Sequence, residues 1–286
     1  MSEWPPAPAG LPAAVADAHC HLDMGSGKSH NSLDLDKDAD IFQYLVDTAA
    51  EVNVTQMINV GCEVPGARFA IEMAKRYPTI HAAVALHPNE APRLVEEGGI
   101  NAFEEAWLEI EQLAQDPGCV AVGETGLDFY RTSGSGLEVQ EESFRRHIRL
   151  AKKLNKTLMI HDREAHQDIL RVVDEEGTPE KVMMHCFSGD AEFAKQCLER
   201  GYYLSFAGTV TFKNADSLRA ALKVTDQDHI LVETDAPFLT PVPHRGAPNA
   251  GFLIPHTMRF MAEVRSEDLT ELCNAVMANT KQAFGI

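Results

Sequence analysis

The residues able to do chemistry in this 286-residue chain recur in one kind of place, at the ends of short apolar runs. Asp17-Ala18-His19-Cys20-His21 closes the first such run. Side chains of extended backbone alternate faces, so His19 and His21 project to the same side. Two adjacent imidazoles are costly when both are protonated and useful when they share a metal cation. Alone, the pair is equally readable as two packed histidines, and repetition is what gives it weight. Glu124 follows Cys119-Val120-Ala121-Val122-Gly123, His161 follows Leu158-Met159-Ile160, His185 follows Val182-Met183-Met184, and Asp235 follows Ile230-Leu231-Val232-Glu233-Thr234. A carboxylate closing an apolar run must be paired or bind a cation. Each of these residues has a bland reading as a satisfied polar group at a strand terminus. Together they would converge if the strands formed one barrel, and they predict a divalent-metal site used for hydrolysis.

The elements that must position them are eight β-rich runs: Val15–His21, Thr55–Val60, Ile80–His87, Cys119–Glu124, Thr157–His161, Lys181–Cys186, Tyr202–Phe206 and Ile230–Asp235. Several are continuously apolar, as strands covered by helices on both faces are. Between them the apolar period is helical: Ile41, Leu45, Ala49 and Val52 mark one helix, and Phe144, Ile148, Ala151 and Leu154 another. Asp190 reads as an N-cap before Ala191, Phe193, Ala194 and Cys197, with Gly201 ending that helix. Helices over Pro255–Val264 and Ser266–Phe284 close the chain. Strand–helix alternation of this kind predicts an α/β fold, a single-domain (β/α)8 TIM barrel over 15–286. The competing arrangement is an open doubly wound sheet, and no GxGxxG follows the first strand to favour it. The longer loops, 25–37, 130–136 and 236–251, leave the carboxyl ends of strands, where barrel enzymes keep their chemistry.

Bulk properties set limits. The chain is 44% hydrophobic and 24% charged, with 43 acidic against 25 basic residues and a net charge of −18. Such a surface repels nucleic acid at long range, which argues against a protein that coats duplex DNA. It does not argue against an enzyme whose site carries its own cations. No apolar run reaches the roughly 18 residues of a membrane span. Residues 1–14 carry four prolines and no basic-then-apolar order, and read as a flexible lead-in. The six cysteines lack CxxC spacing, as expected of reduced, packed thiols in a cytoplasmic protein. No obligate protein partner is evident.

At these residues a resemblance becomes specific. The segments Asp17-Ala18-His19-Cys20-His21-Leu22-Asp23, Ala85-Leu86-His87-Pro88, Gly123-Glu124-Thr125-Gly126-Leu127-Asp128-Phe129-Tyr130, Ile160-His161-Asp162-Arg163, His185-Cys186-Phe187-Ser188-Gly189 and Glu233-Thr234-Asp235-Ala236-Pro237-Phe238-Leu239 span nearly the whole chain in order. In them the chain resembles the TatD family of metal-dependent deoxyribonucleases. The resemblance implies a (β/α)8 barrel, two divalent metal ions and hydrolysis of DNA phosphodiesters. Thr125 and Asp162 differ from the commoner family residues, and neither change touches a ligand position.

The residue types suit that chemistry on their own terms. A carboxylate such as Glu124 can bridge two cations, with His19 and His21 serving one and His161 and His185 the other. Such cations lower the pKa of water toward ~7. Asp235 could ligate one while accepting the water's proton as general base, making Asp235 and Glu124 the expected catalytic pair. Arg131, Arg163, Lys213 and Arg245 lie just past strand ends as candidate phosphate ligands or plain surface charges. Arg163 is favoured because it stands two residues beyond His161. His87 is read as a phosphate ligand, a hydrogen-bonding support or a structural residue, and Asp128 and Tyr130 as parts of the same substrate-facing rim. His30, His81, His147, His229, His244 and His256 read as surface or loop residues; His166 and Asp168 fall on the helix after the fifth strand. Imidazole-rich ligation favours zinc or manganese over magnesium.

The leading expectation is an exonuclease on single-stranded or frayed DNA ends, since unpaired nucleotides spare the cost of melting. The alternative is hydrolysis of another ester, lactone or amide, including aminoacyl-tRNA, on the same barrel. Related amidohydrolases commonly carry a carboxylated lysine on the fourth strand, where this chain has Glu124. A metal-stabilised scaffold is disfavoured, because structural sites close with four ligands.

Overall fold

In the computed structural model, residues 4–27 and 33–286 are described. Eight strands occur among them: β1 (Val15–Cys20), β2 (Val54–Gly61), β3 (Ile80–Val84), β4 (Cys119–Asp128), β5 (Thr157–Arg163), β6 (Val182–Met184), β7 (Tyr203–Phe206) and β8 (Ile230–Val232). They form one sheet in chain order, and the paired strands are parallel. Helices α1 (Ala39–Glu51), α2 (Val64–Arg76), α3 (Glu90–Leu113), α4 (Gly136–Leu154), α5 (His166–Glu176), α6 (Ala191–Leu198) and α7 (Asp216–Val224) fill the connections, and α8 (Ile254–Arg265) and α9 (Leu269–Phe284) follow β8. This is the order of a (β/α)8 barrel.

Contacts group the chain into two compact units, Met1–Asn59 with Gly189–Gln282, and Val60–Ser188 with Ala283–Gly285. In the first, Val15, Ala16 and Ala18 of β1, Leu204 and Phe206 of β7 and Ile230 to Val232 of β8 are buried. In the second, Val84, Val122, Leu158, Ile160 and Met183 play the same part. Fully burying such a side chain contributes roughly 1.5–3 kcal/mol, enough for the apolar runs to dictate the strands. Asp190 caps α6 as expected, its carboxylate accepting from the Glu192 and Phe193 amides at 3.0 and 2.9 Å.

Three expectations need correction. Residues 4–14 are not a loose lead-in: Trp4 and Leu11 are buried, and the Trp4 indole donates to the Asn249 carbonyl at 3.1 Å. Arg259 also donates to the Ala9 and Gly10 carbonyls, at 2.7 and 2.8 Å. The lead-in gains these contacts by covering α8 and the loop after β8, which a count of prolines does not reveal. Strand ends also shift. β4 and β5 continue past Glu124 and His161, pairing Gly126 with His161 and Asp128 with Arg163, whereas β3, β6 and β8 stop short of His87, His185 and Asp235. Finally, His147 lies in the core, fully buried. All six cysteines are free thiols. Among the described residues, no helix is long and apolar enough to cross a membrane.

Candidate metal centre

In the first unit β1 and the segment after β8 build a cluster of His19, His21 and Asp235. The ring nitrogens Nε2 of His19 and His21 face each other at 3.0 Å, and stand 3.6 and 3.4 Å from Asp235 Oδ1. One ligand-type atom from each lies within 4.8 Å of the others. Asp17, fully buried one turn of the pleat earlier, fixes this arrangement. Its carboxylate accepts from the Thr234 amide at 2.9 Å and the Thr234 hydroxyl at 2.6 Å, tying β1 to the residue before Asp235. Burial pushes the Asp17 carboxyl up to about 7, against the lowering effect of those Thr234 hydrogen bonds. Asp235 itself adopts φ +55°, a conformation that Asp tolerates better than most residues, and its amide donates to the His19 carbonyl at 2.9 Å. Asn249 braces the same loop, donating to the Thr234 and Phe238 carbonyls at 2.9 and 2.7 Å, and its own carbonyl receives the Trp4 indole.

In the second unit Glu124 is the centre. His185 Nε2 lies 2.7 Å from Glu124 Oε2, His87 Nε2 lies 3.3 Å from Oε1, and His161 Nδ1 lies 3.8 Å from Oε2. The Cys62 thiol donates to Oε1 at 3.5 Å. Asp128 Oδ2 stands 3.5 Å from His161 Nε2 and accepts from the Asn89 amide at 3.0 Å. Two glycines let β4 approach β5 here. A Cβ at Gly126, whose φ is +141°, would collide with the His161 carbonyl oxygen, and one at Gly123 with the Met159 side chain.

The electrostatics of this cluster favour negative carboxylates. Burial raises the pKa of Glu124, but His185, His161 and His87 outweigh it and hold it well below the ordinary range. Asp128 is likewise held low: burial raises it, and hydrogen bonds from His161, Asn89 and the Arg131 amide prevail. Burial alone would lower His161, yet the flanking Asp128 and Glu124 carboxylates raise it. Burial dominates at His87 and pushes its imidazole down to about 4.

These residues fit a divalent cation on their own geometry. Both ring nitrogens of His161 are buried and face carboxylates, Nδ1 at 3.8 Å from Glu124 and Nε2 at 3.5 Å from Asp128. Two carboxylates held in their negative form and several imidazole nitrogens then face one another, a donor set that suits a divalent cation. In the other cluster two imidazole nitrogens meet at 3.0 Å beside a carboxylate, a set of lone pairs that a cation would satisfy.

The structure brings His19, His21 and Asp235 together in one unit, and Glu124, His161 and His185 in the other. It adds His87 to the latter, as a member within 4.8 Å of Glu124 and His161. Tyr130 is 62% exposed with the Arg163 guanidinium carbon 3.9 Å from its ring centroid. Arg245 lies over Phe212 in the same way, at 4.0 Å. Lys213 and Arg131 are exposed. His166 pairs with Asp162 at 2.6 Å, Asp168 is held by Arg171 at the surface, His244 and His256 contact each other, and His30 lies outside the described residues. Sequence reading missed Cys62, Asn89 and Asn249. Asn89 had a usable signal, two residues beyond the His87 that was singled out; Cys62 and Asn249 act through contacts remote in sequence.

Comparison with known proteins gives this geometry a context. A sequence profile described as TatD related DNase matches residues 16–285. The chain is 40% identical over 276 residues to an uncharacterized metal-dependent hydrolase, TatD, of Mycobacterium tuberculosis, covering 95% of this chain and 98% of that one. It is 36% identical over 272 residues to the uncharacterized metal-dependent hydrolase YabD of Bacillus subtilis, covering 94% and 98%. Among solved structures, a TatD homolog from Escherichia coli, YJJV, superposes with a TM-score of 0.81 at 24% identity, covering 95% and 98% of the two chains. A TatD family hydrolase of Entamoeba histolytica does so at 0.77 and 21%, covering 96% and 99%. The fold is therefore the TIM barrel expected from the strand–helix alternation, and the chain belongs to the TatD-related DNase family.

Proposed function

We propose that this chain is a metal-dependent hydrolase that cleaves DNA phosphodiester bonds, working inward from single-stranded or frayed ends. The observation that carries the reading is the environment of Glu124, a buried carboxylate reached by His185, His87 and His161 at 2.7, 3.3 and 3.8 Å. Family membership and relatives described as metal-dependent hydrolases support it.

His19, His21 and Asp235 would hold one divalent cation, and Glu124, His161, His185 and His87 a second. Cations bound there supply the charge that lowers the pKa of water toward ~7 and screens phosphate oxygens. Asp235 takes the proton released by the attacking water. Asp128 orients His161 through its Nε2. Asp17 and Asn249 keep the Asp235 loop in place, and Arg163 holds a phosphate oxygen of the substrate. The imidazole donors favour zinc or manganese, and the six free thiols suit a reducing cytoplasm. The test is a substrate panel: end-labelled single- and double-stranded DNA beside an ester, a lactone and an aminoacyl-tRNA, each with divalent metal. Progressive shortening of single strands from an end is expected. Turnover of the lactone, ester or aminoacyl-tRNA with DNA left intact would reject the nuclease reading.

A further inference from the structure

Most arginines of this acidic chain are committed to carboxylates. Arg145 binds Glu141, Glu175 and Glu176, Arg171 binds Glu141 and Asp168, and Arg146 binds Glu104 and Glu142. Arg163 is different. It is half-buried, no carboxylate pairs with it among the described residues, and its guanidinium lies 3.9 Å from the centroid of the Tyr130 ring. Tyr130 in turn is 62% exposed, an unusual state for a large aromatic side chain in a structured loop.

The pair is anchored to the Glu124 cluster by short links. Arg163 stands two residues beyond His161 on β5, on the same face of the strand. The Phe129 amide donates to the Arg163 carbonyl at 2.9 Å, extending the β4–β5 ladder to the base of the loop. The Asp128 carboxylate, 3.5 Å from His161, accepts from the Tyr130 and Arg131 amides at 3.1 and 2.8 Å. This Asx-type turn sets the ring's position relative to His161. The residues that follow Tyr130, Arg131 to Ser133, line a cleft of about 940 Å³ together with Asn89 and others.

We propose that Tyr130 and Arg163 form a stacking platform for an unpaired nucleobase, which positions a strand end next to the Glu124–His161 cluster. The inference rests on the nuclease reading and names how that site would select its substrate. The guanidinium covers one face of the ring, leaving the other for a base, while its charge remains available to a phosphate. With a net charge of −18 the protein has no long-range attraction for DNA, so short-range stacking must supply affinity. A base inside a duplex already has both faces stacked and must be unstacked first, at a cost of a few kcal/mol. The platform thus discriminates in favour of single strands and frayed ends without reading sequence.

The experiment measures binding and cleavage separately. Fluorescence anisotropy of the metal-loaded protein uses a short, labelled single strand with cleavage-resistant phosphorothioate links, and a counterpart whose end residues are abasic. Wild type is expected to bind the intact strand about 5- to 150-fold more tightly than the abasic one, the range for one base stacked on an aromatic ring. Tyr130→Ala should lose that preference, Tyr130→Phe should keep it, and Arg163→Gln should weaken binding of both strands. Tyr130→Ala binding the intact strand as wild type does, or Tyr130→Phe behaving like Tyr130→Ala, would overturn the platform. Cleavage of the ordinary phosphodiester strand is followed in parallel. Base-dependent binding without cleavage would keep the platform and remove the nuclease reading; cleavage with no loss in Tyr130→Ala would do the reverse; neither binding nor cleavage would remove both.

Discussion

Acid should destabilise this protein through His147, a residue remote from the proposed chemistry in sequence but tied to it in space. His147 is fully buried on α4, edge-on to Trp107 at 4.8 Å between ring centroids. Its Nε2 accepts from the Leu86 amide at 3.1 Å and its Nδ1 lies 2.7 Å from the Ser143 carbonyl. The Leu86 amide can only donate, so Nε2 carries the lone pair and Nδ1 the proton: the folded state holds a neutral imidazole. Burial, aided by the nearby Arg146 charge, lowers its pKa from the ordinary 6.5 to about 4. The unfolded chain takes up the proton below 6.5 and the folded chain resists until about 4. The stabilisation is therefore complete above 6.5 and is lost as the pH falls through this window. Linkage gives a loss of about 1.5 kcal/mol at pH 5.5 and about 2.5 kcal/mol at pH 4.5. Urea unfolding of wild type and His147→Gln at pH 7, 5.5 and 4.5 isolates this contribution from other titrating groups. The variant should be weaker at pH 7 by about 1–3 kcal/mol, having lost a buried partner of Leu86, and the gap should close on acidification. A gap independent of pH, or a folded-state His147 titrating near 6.5 by NMR, would refute the reasoning. Because Leu86 precedes His87, the same bond also helps hold that imidazole beside Glu124.

Other perturbations test how the clusters are supported. Asp17→Ala leaves the buried Thr234 amide without its acceptor and the hydroxyl with only the His19 carbonyl at 3.4 Å, which should cost about 1–3 kcal/mol in a denaturant titration and lower activity through Asp235. Asp17→Ala with wild-type stability would show that Thr234 finds another partner. Trp4→Ala should cost about 2–4 kcal/mol and expose residues 4–14 to limited proteolysis, since it removes a buried indole and its bond to Asn249. Gly126→Ala should prevent β4 and β5 from pairing as observed, and a variant that folds with wild-type stability would contradict the close approach at His161.

Much of this was legible in the sequence because strands buried on both faces leave continuous apolar runs, and polar residues at their ends stand out. His19, Glu124, His161, His185 and Asp235 were found that way. What escaped depended on tertiary contact. His87 stands out in the sequence as a candidate for phosphate or for a supporting hydrogen bond, but nothing local indicates which, or that its ring stands 3.3 Å from the Glu124 carboxylate on the next strand. His147 reads in the sequence as a surface or loop residue, because its acceptor role toward Leu86 spans 61 positions. The extension of β4 and β5 to Asp128 and Arg163 was hidden because those residues are charged, and local apolarity ends at His161. The proline-rich lead-in misled for the opposite reason: its composition suits a flexible segment, while one tryptophan anchors it.

The most direct test of the central claim is digestion of end-labelled single-stranded DNA by metal-stripped protein, before and after adding zinc, manganese or magnesium, with Glu124→Gln and Asp235→Asn as controls. The expected result is no cleavage when stripped, recovery with at least one cation in wild type, and loss of about a hundredfold or more in each variant despite an intact fold. Cleavage that persists in chelator, or full activity in Glu124→Gln, would contradict it.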